Sequence, residues 1–297
     1  DDEIGLMTPT TEGALDVIDL SRAAEAEAPM SSIALPLEGT PLAGYPSDIL
    51  LSPDGHRAWL LSGTAAEIYE VDLARGVVVH GTVNPIHPPI EDGLNHGFRG
   101  VMRNDGVAFI ADMNTSLLWV FDTATATFSP EPFSEPFPVG PDPMGYYGPG
   151  ALDMRRDGKC PNLYVLDNVS GGITSVDLCL FPQDRSSWTI IEPPVGSMPG
   201  DLALYGEHGY VTQAGDGAVG RYNLETREGD SAFAVLPEGS SPWAAAVVDH
   251  DGEPLGFVTD FAAGAVHLFD GVTGEVLDTV TGLHTPEGLA VTSRWIL

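Results

Sequence analysis

The sequence predicts an all-β fold: a six-bladed β-propeller of four-stranded antiparallel blades, one domain over residues 1–297. Three observations carry that expectation. A single grammar recurs in five complete copies: Pro, two small or polar residues, an apolar run, a tight turn, a second apolar run, a polar turn and a third run. Each copy closes on an apolar–acid or apolar–Asn pair, Ile18-Asp19, Val71-Asp72, Phe121-Asp122, Val176-Asp177, Tyr222-Asn223 and Phe269-Asp270 counting the chain ends, about every 46 to 55 residues. The two chain ends hold complementary halves of a sixth copy.

In chain order, the complete copies are PSDILLSPDGHRAWLLSGTAAEIYEVDL, FRGVMRNDGVAFIADMNTSLLWVFD, PGALDMRRDGKCPNLYVLDNVSGGITSVDL, PGDLALYGEHGYVTQAGDGAVGRYN and PWAAAVVDHDGEPLGFVTDFAAGAVHLFD. They place blades at roughly 46–83, 98–133, 149–193, 199–236 and 242–281. Short apolar or alternating runs bounded by Gly, Asp and Pro read as strands, and the Asp-Gly pairs supply the positive φ of tight hairpins. The sixth copy starts with PEGLAVTSRWIL at the C-terminus and finishes with EGALDVIDL and SSIALPL at the N-terminus, giving a blade of 284–297 plus 1–37. Sharing one blade between the chain ends closes the ring and leaves no open sheet edge. A seventh blade would need about 40 residues; the spare segments 84–97 and 134–148 are too short and too rich in Pro.

The 43 acidic residues against 12 basic ones leave a net charge of −31, and Lys159 is the only lysine. Such a field repels phosphate backbones and anionic membranes, so nucleic acid is excluded as a partner and cationic partners are favoured. No run approaches the length of a membrane helix. The chain starts at Asp1 with neither Met nor a signal-type segment, as a processed or trimmed chain would. A monomer is expected, and no motif for a nucleotide or haem occurs. Cys160 precedes the second strand of its blade and Cys179 follows the third, so the hairpin between those strands could set them opposite one another. A disulfide there needs Cα atoms about 4.4–6.8 Å apart, and would place the protein outside the reducing cytosol, secreted or periplasmic.

Numbering strands outward from the axis, the starts of the first strands and the turns between second and third strands share one end of the ring, the channel mouth. Asp54, Asp105, Asp157 and Asp251 fall in turns at the other end, where Asp-Gly needs no functional explanation. The mouth collects Asp48, Arg99, Asp201, Trp243 and Glu287 from first strands, and Asp112, Asp167 and Asp260 from the ends of second strands, with Asn114 close behind. Converging carboxylates call for a cation; Asp48, Asp201 and Glu287 are the candidate ligands, with Ca²⁺ the candidate ion. The insertion NPIHPPIEDGLNHGF adds His87, Asp92 and His96 on this end, and SEPFPVGPDPMGYYGPG adds Tyr146 and Tyr147. The expected site is a pocket for a small molecule or protein over blades 3 and 4. His87 and His96 lack zinc-type spacing, and no G-x-S-x-G elbow is present.

This grammar, P-x-x-apolar, D-G and apolar-Asp, resembles that of the NHL, YVTN and SMP-30/gluconolactonase-like propellers. The resemblance implies the fold and allows two functions: a binding or scaffold module, or a lactonase or esterase whose divalent ion is held by a Glu, two Asn and an Asp. Glu287 in PEGLAV and Asp201 in PGDLAL match two of those positions; Arg99 and Gly150 stand where the two Asn would be. A streptogramin-lyase-like activity would draw its histidine from His87, His96 or His284.

Overall fold

The computed structural model describes residues 4–9, 14–19, 30–34, 46–62, 67–73, 75, 77–79, 97–112, 117–129, 149–155, 160–168, 170–179, 189–191, 196–283 and 285–292. Among them there is no helix. The chain is a β-propeller arrangement of antiparallel blades, with strands grouped in four-stranded sheets.

The first four sheets to begin and end within one stretch of chain are β4 (Pro46–Leu51), β5 (Arg57–Ser62), β6 (Ile68–Asp72) and β7 (Val77–Val78); β8 (Gly97–Met102), β9 (Val107–Asp112), β10 (Leu117–Asp122) and β11 (Thr127–Phe128); β12 (Pro149–Arg155), β13 (Asn162–Asp167), β14 (Ile173–Asp177) and β15 (Thr189–Ile191); and β16 (Pro199–Tyr205), β17 (His208–Gln213), β18 (Ala218–Asn223) and β19 (Gly229–Val235). A fifth holds β20 (Pro242–His250), β21 (Glu253–Asp260), β22 (Ala265–Asp270) and β23 (Val276–Thr281). The remaining sheet pairs β24 (Pro286–Thr292) with β1 (Ile4–Pro9), then β2 (Ala14–Asp19) and β3 (Met30–Ala34). Ile4 lies opposite Thr292 and Met7 opposite Leu289, so both chain ends build one sheet. The first strands β24, β4, β8, β12, β16 and β20 contact one another in that circular order, β20 returning to β24. Residues 293–297 lie outside the described residues.

The sequence grammar maps onto this architecture directly. Each apolar–Asp or apolar–Asn pair ends the third strand of a sheet. Gly55, Gly106 and Gly252 turn the first hairpins at φ of +72°, +85° and +87°, which Gly adopts without steric cost. The second strands β9, β13, β17 and β21 are buried on both faces along most of their length. In β9, Ala108 and Ile110 join a core with Leu50, Trp59 and Leu61 of the preceding sheet. Phe109 and Ala111, pointing the other way, join Leu152, Leu163 and Val165 of the next. Further cores follow at the next junctions, the last joining Phe257, Val266 and Leu268 to Leu289 and Val291.

The disulfide expected from the sequence is present. Leu178 N–H donates to Pro161 O beyond the Asn162–Asp177 pair, extending the β13–β14 ladder and bringing the Cα atoms of Cys160 and Cys179 to 5.4 Å. No helix among the described residues is long and apolar enough to span a membrane.

Candidate functional site

Proline opens five of the first strands, where its missing N–H costs no ladder bond. Immediately after the start, each first strand slips register against the second: between Pro46 and Asp48, Gly97 and Arg99, Pro149 and Ala151, Pro199 and Leu202, and Pro242 and Ala245. The β24–β1 pair slips likewise at Pro286. A bulge re-aims the side chains around it. The P-x-x signature thus encodes a bulge at the mouth.

On β8 the residue after that bulge is Arg99, 2% exposed. Its Nη1 donates to Ser47 O of β4, and its Nη2 donates to Glu287 O of β24 at 2.9 Å. Its Nε lies 3.6 Å from Asp201 Oδ1 of β16, and its Nη1 is 4.0 Å from Asp48 Oδ1. One guanidinium therefore ties four first strands together at the axis. The carboxylates are also held by backbone donors. Asp48 accepts from Gly100 N–H at 2.8 Å, and Asp201 accepts from Leu202 N–H and Ala245 N–H, both at 2.9 Å. Asp153 of β12 accepts from Leu204 N–H at 2.8 Å. In each case a first-strand Asp reaches the first strand of the next sheet.

Below this cluster the channel holds a cavity of about 270 Å³, whose polar lining is Asp48, Arg99, Asp153 and Asp201 and whose walls are aliphatic. Burial pushes the Asp48 carboxyl up to about 7; Arg99 opposes that rise and the neighbouring Asp201 adds to it. Burial also raises Asp201, against the pull of Arg99 and two amides. Glu287 is raised by burial too, again opposed by Arg99.

The guanidinium already stands between Asp48 and Asp201, the side that faces Glu287 is taken by donation to its carbonyl, and a second cation at these distances would be repelled by Arg99.

The other predicted positions are arranged as struts. Asp112 accepts from Trp119 Nε1 at 3.4 Å, and Asp167 accepts from Ser170 Oγ at 2.6 Å. Trp243 packs on Phe261 with ring centroids 6.3 Å apart, while its carbonyl accepts from Thr212 Oγ1. At Gly150 a Cβ would lie 1.9 Å from the Asn168 side-chain amide, so the mouth is filled there by Asn168. His87, Asp92, His96, Asn114, Tyr146, Tyr147 and His284 lie outside the described residues.

Two features were not anticipated from the sequence, the role of Asp153 and the exposure of Met198 and Phe261, while Asp260 stands at the end of a second strand as expected. Asp153 was passed over, although an Asp inside an apolar strand signals a buried acceptor needing donors. Asp260 of β21 accepts from Ser241, Ala262 and Ala263 N–H and meets His267 Nε2 at 3.2 Å, with Thr279 Oγ1 2.9 Å from the other ring nitrogen. Burial works against ionisation of Asp260, but these donors outweigh it and hold its pKa low. Met198 and Phe261 stand exposed at the mouth.

No family model matches the chain, and no curated protein matches it in sequence. Solved structures do. A chain from a crystal structure of a nidogen/laminin complex superposes with a TM-score of 0.68 at 13% identity, covering 97% of this chain and 98% of that one. A putative 6-phosphogluconolactonase from Bacteroides fragilis does so with a TM-score of 0.62 at 11% identity, with 98% of each chain covered. Both likenesses are of fold.

Proposed function

We propose that the protein is a six-bladed propeller acting as an extracytoplasmic binding or scaffold module, which takes a ligand or partner at the channel mouth. The single observation that carries this reading is the placement of Arg99. In the lactonase-like arrangement a metal ion polarises the substrate carbonyl; here an arginine fills the space between the acids and is itself bound to backbone carbonyls. An arginine committed to two carbonyls and two carboxylates is a structural clamp, not a Lewis acid. The disulfide is compatible with a secreted protein. The long insertions at 84–97 and 134–148 belong, on sequence grounds, to the same mouth.

The competing reading, a metal-dependent lactonase or esterase, draws on Asp201 and Glu287 standing beside Arg99. One experiment separates the two. Hydrolysis of gluconolactone and of p-nitrophenyl acetate is followed with Ca²⁺ and with EDTA. The binding reading expects no turnover above buffer in either. Turnover that requires a divalent ion and disappears in Asp201→Asn would sink it.

A further inference from the structure

We infer that the mouth rim over the sheets β16–β19 and β20–β23 is a docking surface for a basic polypeptide segment carrying an apolar anchor; this rests on the binding-module reading and names its partner. The apolar part of the surface is Met198, 65% exposed, and Phe261, 39% exposed, with Ala262 and Ala263 also open to solvent. Trp243, half-buried, floors it by packing against Phe261.

These side chains are held on a fixed frame. Met198 O accepts from Ala214 N–H at 3.0 Å, and the preceding Ser197 donates through N–H and Oγ to Asp216 at 2.6 and 2.9 Å. Met198 itself sits at a φ of +53°, a conformation that side chains rarely adopt. Phe261 N–H donates to Ser241 O at 3.0 Å, while Asp260 clamps both sides of that turn. Trp243 O is fixed by Thr212 of the neighbouring sheet, and it stands 3.0 Å from where a Cβ on Gly200 would be. The frame is therefore shared between the two sheets, and Met198 and Phe261 are displayed on it over Trp243 instead of being folded inward.

Charge decides what would cover them. The segments that make this rim, 196–201, 213–218, 236–244 and 260–265, contain no Lys or Arg, and two of their acids, Asp216 and Glu238, are exposed. Among the described residues the arginines other than the buried Arg99 lie elsewhere. Arg57, Arg103 and Arg155 flank the turns between first and second strands, Arg75 and Arg227 lie in turns after third strands, and Arg221 reaches Val272 O of another such turn. Among the described residues the positive charge other than Arg99 thus lies at the opposite end of the ring. A second copy carries the same net charge of −31 and, rim to rim, presents like charge, as an anionic lipid surface also would. A segment with Lys or Arg on either side of a Leu or Phe meets both halves of the chemistry: apolar contact on Met198 and Phe261, and attraction to Asp216 and Glu238.

The test uses fluorescence anisotropy with the labelled peptide KRLFRK and two controls, KRGGRK without the anchor and EDLFDE with the charge reversed. KRLFRK is expected to bind, and both controls to bind at least roughly tenfold more weakly. Met198→Ser with Phe261→Ser, and separately Glu238→Lys, should each weaken KRLFRK by roughly tenfold, while Val272→Ser at the opposite end leaves it unchanged. Thermal melts confirm that each variant is folded. Equal binding of either control overturns the proposal, as does absence of KRLFRK binding at about 1 mM. Binding that ignores the rim substitutions also overturns it, while leaving the binding-module reading in place. A dimer in sedimentation that dissociates in Phe261→Ser would overturn it in favour of a second copy.

Discussion

Arg99 is the residue on which the electrostatics of the ring turns. Removing one partner from a buried charge cluster leaves the others uncompensated, at a cost of about 3–5 kcal/mol. Arg99→Met should lower the melting temperature, and Ca²⁺ should then restore part of the loss, because Asp48 and Asp201 are left as paired oxygen donors. In the native chain the same titration should move the melt little. A native protein stabilised by several degrees in Ca²⁺, with the effect abolished by Asp48→Asn, would contradict the clamp. Asp48 also sets a pH dependence. Its folded pKa of about 7 lies above the ordinary 3.8, so between those values the folded state binds the extra proton. Its contribution is complete below about pH 4 and is lost as the pH rises through 7. Asp48→Asn removes the titration: its melting temperature should fall less than that of the native chain between pH 5 and 8, by the equivalent of at most about 3 kcal/mol. Parallel curves for the two proteins would refute this.

At the level of strands and hairpins, the sequence exposed what is periodic and hid what is local. The apolar–Asp endings located every third strand, and the Asp-Gly turns located first hairpins, because both follow from backbone geometry that repeats in each sheet. The bulge after each opening Pro was written in the same P-x-x pattern, but its consequence, a side chain turned to the axis, needed the register. Arg99 shows the limit most clearly: its place in the sequence matched a ligand position, while its partners come from residues 47, 48, 201 and 287, whose convergence no local pattern states. Met198 and Phe261 were equally invisible, since an apolar residue in a turn gives no sign of whether it folds inward. The β13–β14 hairpin offers a test at this scale. Cys160 and Cys179 close a loop with a sequence separation of 19. Tying that loop restricts the unfolded chain by about 3 kcal/mol. Cys160→Ser with Cys179→Ser should therefore lower the unfolding free energy by about that amount in a urea titration, and reductant should do the same to the native chain. An unchanged midpoint would show that the bond adds nothing to the ladder already closed by Leu178 and Pro161.

Stability of the molecule as a whole depends on the sheet that joins its two ends. Among the described residues every apolar core spans two neighbouring sheets, and none is confined to one sheet. Losing one strand next to the axis would therefore open two junctions at once. β24 occupies that position: it pairs with β1 on one side, and through Leu289 and Val291 it covers the core of the β20–β23 sheet. It also supplies the Glu287 carbonyl that Arg99 holds. Deleting residues 286–297 should then abolish the cooperative melt, not merely lower its midpoint. Connecting the ends should have the opposite result. Thr292 and Ile4 are directly paired, so joining residue 297 to residue 1 and opening the chain at the exposed Gly239 changes the connectivity but not the contacts. The permuted chain should keep the native circular dichroism spectrum and melt within about 3 °C of the original, roughly the shift that 1 kcal/mol produces in a domain of this size. If the deletion melts cooperatively near the native midpoint, β24 is dispensable and the shared sheet is not what holds the ring shut.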